Sequence, residues 1–336
     1  MTADVMTGLT LDLRVERFPY HQPFRIAGHE FTETALLVAT LSDGRHEGRG
    51  EGAGVYYLGD DIDHMLAEAT RVRPAIEGGA TRANLQHLMP PGGARNAIDC
   101  AFWDIEARRA GKPVWELAGL DPPRALRSTL TLGADSPEAM AAAALAIDPH
   151  APVKVKLTGE VDLDAARIAA IRAARPHAWI GVDANQGYDR ATLGDLLPLL
   201  VAHRIAQLEQ PLRRGREADL DGVKRPLPFV ADESALSLAD TASLVGRFDV
   251  VNIKLDKCGG LTEGLAIARQ ARRLGLDVMV GNMMGTSLSM APSYLVGQLC
   301  DIVDLDGPTF LARDREPGVT YRDGMIHCPP SLWGGG

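Results

Sequence analysis

From about residue 128 onward the chain alternates short apolar runs with stretches of helical periodicity, and this alternation constrains the fold more than any other feature. Repeated βα units imply a parallel sheet, because parallel neighbours need a crossover long enough to hold a helix. Runs near residues 129–133, 152–157, 178–184, 204–209, 228–232, 249–255, 277–281 and 302–306 read as strands, eight in all. Eight is the number that closes a barrel. Between them, Ser136-Pro137-Glu138 is an N-cap and first turn for an alanine-rich helix to Ile147, and Leu261 to Leu274 has apolar positions at helical spacing. A helix around Ser287 to Cys300 contains Pro292, which leaves its start open.

The first ~120 residues follow a different pattern. Residues 8–17, 34–42 and 46–54 read as antiparallel strands joined by turns such as Ser42-Asp43-Gly44, and 61–76 and 94–110 read as helices. The chain is therefore expected to be an α/β protein: a TIM-like barrel over residues 123–306, an α+β capping domain over 1–122, and an irregular segment over 307–336 that returns to the cap.

Two lysines sit where an apolar strand should not carry them. In Val153-Lys154-Val155-Lys156 the period of two points both ammonium groups to one face and both valines to the other. Burying a lysine charge costs several kcal/mol unless it is paired or its pKa falls. The chain supplies anions downstream: Asp183, Glu209 and Asp232 each end a short apolar run, and a further lysine, Lys254, ends another. In a barrel the site lies at the C-terminal ends of the strands, so these side chains converge on one mouth. Three carboxylates from three successive strands make an all-oxygen site for a hard divalent cation, by default one Mg2+ per subunit.

Lysines flanking a metal-bound carboxylate suit removal of a proton from the adjacent carbon, since the metal stabilises the enediolate that forms. Lys156 and Lys254, on opposite faces, can each act as base or conjugate acid, with inversion as the result. Lys154 stays charged, lowering the pKa of Lys156 and offsetting substrate charge. Asn185 shares the face of Asp183 and is either a supporting residue or a polar ligand. Glu233 points the other way and reads as a structural hydrogen-bond partner; Lys257 reads as a loop charge. Asp304 and Asp306 again share one face at the mouth, where they could hold a second cation or accept a substrate ammonium.

Composition excludes other classes. The net charge of −9 and the absence of a basic run argue against nucleic acid. No segment approaches the ~20 apolar residues of a membrane span. Cys100, Cys258, Cys300 and Cys328 are far apart and read as reduced thiols of a cytoplasmic protein; Met1 to Arg14 carries Asp4 and Asp12 and is no secretory signal.

With these residues in hand, the chain resembles the enolase superfamily, muconate-lactonizing subgroup, and within it the dipeptide epimerases of the L-Ala-D/L-Glu type. The resemblance rests on Lys154-Val-Lys156, Asp183-Ala-Asn185, Glu209-Gln-Pro211, Asp232-Glu-Ser234, Asn252-Ile-Lys254, Gly259-Gly-Leu-Thr262 and Asp304-Leu-Asp-Gly-Pro308, and on residues 94–104 of the first domain. It implies a (β/α)7β barrel whose cap supplies specificity loops, magnesium on Asp183, Glu209 and Asp232, and Lys156 and Lys254 as the two acid/base catalysts. Asp304 and Asp306 would bind the N-terminal ammonium of a dipeptide, so that the C-terminal residue is epimerised. By analogy with relatives, a homo-oligomer is expected.

The cap loop departs from the Glu-selective pattern. Around Pro23-Phe24-Arg25-Ile26, Gly28 and Phe31 occupy places where arginines would stand; Arg25 and His29 could supply positive charge, whereas Glu30 and Phe31 suit a cationic or apolar side chain. Tyr56 and Tyr57 add aromatic surface, and Thr131 on the first barrel strand joins the substrate-binding set. The default substrate is L-Ala-D/L-Glu, with hydrophobic or cationic dipeptides as other candidates. Competing expectations are an o-succinylbenzoate synthase or N-acylamino acid racemase using the same lysines, which the Asp304/Asp306 pair disfavours, and a non-catalytic metal-binding barrel.

Overall fold

The structure, a computed structural model, describes residues 8–26 and 29–335; the side chains of residues 24–29 lie outside that description. The cap opens with a long antiparallel hairpin, β1 (Thr10–Ile26) and β2 (His29–Ser42), followed by β3 (Glu47–Ala53). The hairpin runs nine residues past the first expected strand, with its register interrupted between Pro19 and Phe24, where Tyr20-His21-Gln22-Pro23 breaks the alternation. Three helices follow: α1 (Ile62–Glu77), capped by Asp61; α2 (Arg82–Leu88), which sequence reading missed; and α3 (Gly93–Ala110), closed by left-handed Gly111. A short α4 (Val114–Leu117) and β4 (Leu126–Arg127) lead into the barrel.

Glycine repeats at period two on β3, and the reason is steric. A Cβ at Gly48, Gly50 or Gly52 would come within 2.4 Å of the backbone of α3, so only bare backbone lets the helix lie directly on the strand. The other side of α3 faces the barrel. Its buried Arg95 donates to the carbonyls of Cys258 and Gly259 at 2.6 and 3.2 Å, and Asp99 accepts from Thr262 N–H at 2.9 Å.

The barrel strands are β5 (Leu130–Leu132), β6 (Val153–Lys156), β7 (Ile180–Asp183), β8 (Gln207–Glu209), β9 (Phe229–Ala231), β10 (Val250–Ile253), β11 (Asp277–Val280) and β12 (Ile302–Val303), paired parallel in chain order. Thr129 N–H, just before β5, donates to Val303 C=O on β12 at 2.9 Å and brings first and last strands together. This is the anticipated (β/α)7β barrel. The helices α5 (Pro137–Ala146), α6 (Val161–Ala174) and α7 (Arg190–Ala202) cover its outside together with α9 (Leu261–Arg273) and α10 (Ser287–Gly297), while the short α8 (Leu255–Cys258), after β10, lies against α3. Ser136 Oγ caps α5 by accepting from Ala139 N–H, and α10 starts at Ser287 under the Thr286 cap with Pro292 inside. Two crossovers differ from expectation: β8–β9 and β9–β10 are bridged by 3-10 turns at Glu217–Leu220 and Leu238–Leu244.

Strand alternation sorts the barrel into layers. Val153, Val155, Val182, Leu208, Val251, Ile253 and Val280 face outward into the main apolar core under the helices. Each fully buried aliphatic side chain of this kind contributes about 1.5–3 kcal/mol. Inside, Val230, Val250 and Met279 form an apolar floor. Two residues further along each strand come Asp232, Asn252 and Gly281, the polar level above that floor.

The C-terminal segment is more regular than the sequence suggested. β13 (Thr320–Arg322) and β14 (Met325–His327) form a hairpin across Asp323-Gly324, both at positive φ, and β14 pairs with β4. Beyond β14, Trp333 Nε1–H donates to Arg49 C=O at 2.7 Å, and Gly334 N–H to Asp104 Oδ1 at 2.9 Å.

Candidate active site

The pairing register sets the site. Lys156 lies opposite Asp183, and Asp183 opposite Glu209, so these three share one level, with Asp232 one layer higher on the next strand. One oxygen from each of Asp183, Glu209 and Asp232 can be chosen so that all lie within 4.8 Å of one another, and all three residues are buried. Three anions at that spacing repel strongly, and lysines offset them. Lys154 Nζ lies 2.8 Å from Asp304 and from Glu209 and 3.2 Å from Asp183; Lys156 Nζ is 2.6 Å from Asp183, and Lys254 Nζ 2.6 Å from Asp232. β6 and β10 stand half-way round the ring from each other, so Lys156 and Lys254 approach from opposite sides.

Two supporting residues were misjudged or passed over in the sequence. Lys257 is no loop charge: it is fully buried and donates to Asp232 Oδ1 and Asp232 C=O, both at 2.5 Å, and to Asn252 C=O at 3.1 Å. Asn252, two residues before Lys254 on the same inward face, donates through Nδ2 to Glu209 Oε1 at 2.8 Å. A Cβ at Gly281 would press on the Asn252 amide at 2.8 Å and the Lys254 stem at 3.1 Å, so glycine makes their room.

Burial pushes the Lys154 and Lys254 ammonium groups down, but the carboxylates outweigh it: Asp304, Glu209 and Asp183 hold Lys154 well above the ordinary lysine value, and Asp232 raises Lys254. Burial also pushes every carboxyl up. Lys156 and Lys154 overcome this at Asp183, bringing it to about 2, and Lys254 and Lys257 bring Asp232 lower still. Glu209 goes the other way, to about 7, through burial and the neighbouring Asp183 charge.

The donor set fits a divalent cation. Glu209 Oε2, Glu233 Oε2, Asn185 Oδ1 and Asn252 Oδ1 are buried oxygens that receive no hydrogen bond, although Lys154 Nζ stands close to the first. Orphaned acceptors around three carboxylates suit a hard cation and its bound water.

Asp304 and Asp306 sit at the same mouth. Asp304 is more committed than the sequence implied, accepting from Lys154 Nζ at 2.8 Å and Thr129 Oγ1–H at 2.5 Å. Asp306 accepts from Thr131 N–H at 2.6 Å, and burial plus the Asp304 charge push its carboxyl up to about 7. A cavity of about 340 Å3 joins these groups to the cap, lined by Phe31, Tyr56, Thr131, Lys154, Lys156, Asn185, Asp232, Lys254, Asp304 and Asp306 among others. Glu233 departs from its expected place: Gln186 donates to it at 3.2 Å, yet it also lines the cavity, and burial with the Asp232 charge pushes it to about 8. The side chains of Arg25 and His29, and Gly28, lie outside the described residues.

A parallel barrel with a carboxylate triad flanked by lysines, under an α+β cap, defines a class, and the sequence matches it in both parts. Residues 10–119 match the mandelate racemase / muconate lactonizing enzyme N-terminal domain, and residues 138–334 the enolase C-terminal domain-like family. The chain belongs to this family. It is 36% identical to the L-Ala-D/L-Glu epimerase of Escherichia coli K12, over 95% of this chain and 99% of that protein. To an N-acetyl-D-glutamate racemase of Pseudoalteromonas it is 41% identical, over 75% and 80%. Among solved structures, an enolase family member from Agrobacterium tumefaciens with bound sodium and L-Ala-L-Glu superposes with a TM-score of 0.92 at 39% identity, covering 97% of this chain and all of that one. A Methylococcus capsulatus dipeptide epimerase, complexed with Mg and L-Arg-D-Lys, gives 0.89 at 29% identity, covering 97% and 99%.

Proposed function

We propose that this protein is a magnesium-dependent dipeptide epimerase that inverts the α-carbon of the C-terminal residue by proton transfer between Lys156 and Lys254. The observation that carries the reading is the opposed pair: Lys156 on Asp183 and Lys254 on Asp232, half-way round the barrel from each other.

Asp183, Glu209 and Asp232 would hold the ion, with Asn185 beside them. When bound, magnesium supplies positive charge that stabilises negative charge gathering on a substrate carboxylate. Asp306, fixed by Thr131 N–H, and Asp304, fixed by Thr129 and Lys154, accept the substrate's terminal ammonium. One of the two lysines takes the proton from one face of the α-carbon, and the other then gives a proton to the opposite face. The reverse direction exchanges the roles, so no net proton is consumed. Lys154, held by three carboxylates, remains charged, and Asn252 and Lys257 position Glu209 and Asp232.

The reading takes residues 1–122 as the cap, 123–306 as the catalytic barrel and 307–336 as the returning segment. It carries a cytoplasmic setting, supported by four cysteines outside any disulfide, and a homo-oligomer, testable by light scattering. Among the described residues no helix is long and apolar enough to cross a membrane.

The test is mass-spectrometric deuterium uptake by a pooled L,L-dipeptide library with magnesium in heavy water. A single-deuteron gain with appearance of the L,D-diastereomer is the expected result; no gain in any dipeptide refutes it. The Pseudoalteromonas relative favours a second reading, an N-acylamino acid racemase. Asp306→Asn separates the two, because loss of an ammonium partner harms a free dipeptide more than its N-acetyl analogue.

A further inference from the structure

We propose that Gln210 is a positioning residue of the metal site: its side-chain amide fixes the spacing of the strand ends that carry Asp183, Glu209 and Asp232. This deepens the epimerase reading and rests on those three carboxylates being the magnesium ligands.

The three carboxylates stand where the sheet gives out. β7 ends at Asp183 and β8 at Glu209, and β9 stops at Ala231, one residue short of its carboxylate. From β8 to β9 the parallel ladder runs in steps of two, with Leu208 N–H donating to Pro228 C=O at 3.0 Å and Gln210 N–H to Val230 C=O at 2.9 Å. The next rung would join Asp232 N–H to Gln210 C=O. That rung is replaced. Gln210 turns into the left-handed region at φ +35°, and its carbonyl accepts instead from Gln186 N–H, beyond the end of β7, at 2.8 Å.

The side chain completes what the backbone leaves open. Gln210 is buried, and its Oε1 accepts from Asp232 N–H at 3.0 Å and from Ser234 N–H at 3.1 Å, while Nε2 donates to Leu212 C=O at 2.9 Å and to Ser234 Oγ at 2.8 Å. Every bond this amide can form is taken. The two backbone N–H groups can only donate, which fixes the end that carries the oxygen. Ser234 Oγ–H donates to Glu217 Oε1 at 2.7 Å, leaving the hydroxyl oxygen to accept from Gln210. One residue therefore ties the ends of β7, β8 and β9 together, its carbonyl to one side and its amide to the other.

A purely structural glutamine would account for these bonds but not for the backbone. Pro211 follows, and a residue before proline is pushed toward extended conformations, so the positive φ is held against local preference. Such strain persists where the surroundings over-determine it, and it gathers at functional sites. Asn252 and Lys257 brace the carboxylates of Glu209 and Asp232 directly, whereas Gln210 braces the backbone that bears them. Magnesium tolerates little departure from an octahedral oxygen shell, and calcium accepts a wider and looser one. Loss of the clamp should therefore harm binding of the smaller ion more.

The test is calorimetric titration of Mg2+ and of Ca2+ into the metal-free parent, Gln210→Met and Gln210→Gly, at a temperature where thermal melts show the protein folded. Gln210→Gly adopts a positive φ without strain and carries the test if the methionine variant does not fold. The Mg2+ Kd should rise by roughly 10–100-fold, and the Ca2+ Kd by less, so that the ratio of affinities moves toward Ca2+. An unchanged Mg2+ Kd overturns the inference and leaves the metal site and the epimerase reading standing. Equal losses for both ions overturn it as well, because they mark general loosening and not lost spacing. A parent that binds no Mg2+ overturns the reading of the ligands along with it.

Discussion

Replacing Lys257 by methionine keeps the volume of the side chain and removes its charge from a fully buried position. Asp232 then loses a partner at 2.5 Å and keeps only Lys254, while its carbonyl still receives Ala235 N–H at 3.0 Å. The cost is therefore mainly that of an under-compensated buried anion, about 3–5 kcal/mol for a broken buried pair. For a chain of this size about 1 kcal/mol moves the midpoint by roughly 2 °C, so thermal unfolding in EDTA should fall by about 6–10 °C. Magnesium supplies positive charge at the same carboxylate and should restore part of the loss. Calorimetry at pH 7.5 with EDTA and with saturating magnesium measures both. A deficit below about 2 °C in EDTA, or one that magnesium leaves unchanged, would refute the assignment of Lys257 as the electrostatic partner of Asp232.

Lys156→Ala and Lys254→Ala should each lower epimerisation by roughly 10²–10⁴-fold, while one retains α-proton exchange of a single enantiomer; full activity in both rules out the two-base scheme. With Asp306 raised to about 7, its ionised form gathers above that pH, so kcat/KM for a free dipeptide should fall as pH drops through 7, and Asp306→Asn should flatten that limb. Burial likewise raises Asp256 to about 7, where it accepts from Ala53 N–H and Asn96 Nδ2. That raised value gives stability present below the unfolded pKa of about 3.9 and lost as pH rises through 7. Urea titrations should find Asp256→Asn gaining on the parent between pH 5 and pH 8. Gly50→Ala would set a Cβ 2.1 Å from Ala97 C=O, and should lower stability by at least about 1–3 kcal/mol in the same titrations.

The barrel strands were legible because each is a short apolar run, most of them followed by a polar residue, and the period of two puts Lys154 and Lys156 on the face opposite Val153 and Val155. The same rule failed where strands end. Lys254 is the N-cap of α8, so Lys257, three residues on, turns back beneath it and reaches the same Asp232. Alternation cannot register that helical turn. Glu233 likewise follows the end of β9 at Ala231, where alternation no longer governs direction. The 3-10 crossovers escaped notice because the charged stretch Arg213 to Glu217 has no apolar periodicity to gauge. The tail hairpin did carry a signal, Asp323-Gly324, but strands of three residues are too short to display their alternation.

The bare-backbone contact of β3 with α3 has a consequence for how such enzymes can be recombined. With no side chains between strand and helix there is nothing to repack, and α3 is keyed to the barrel by Arg95 and Asp99, which fill the space a Cβ at Gly259 or Gly260 would take. A chimera cut at the linker after α4 would separate two halves of one lock. Transplanting a whole cap requires the donor's α3 and the acceptor's Gly259-Gly260 turn to have been shaped for each other.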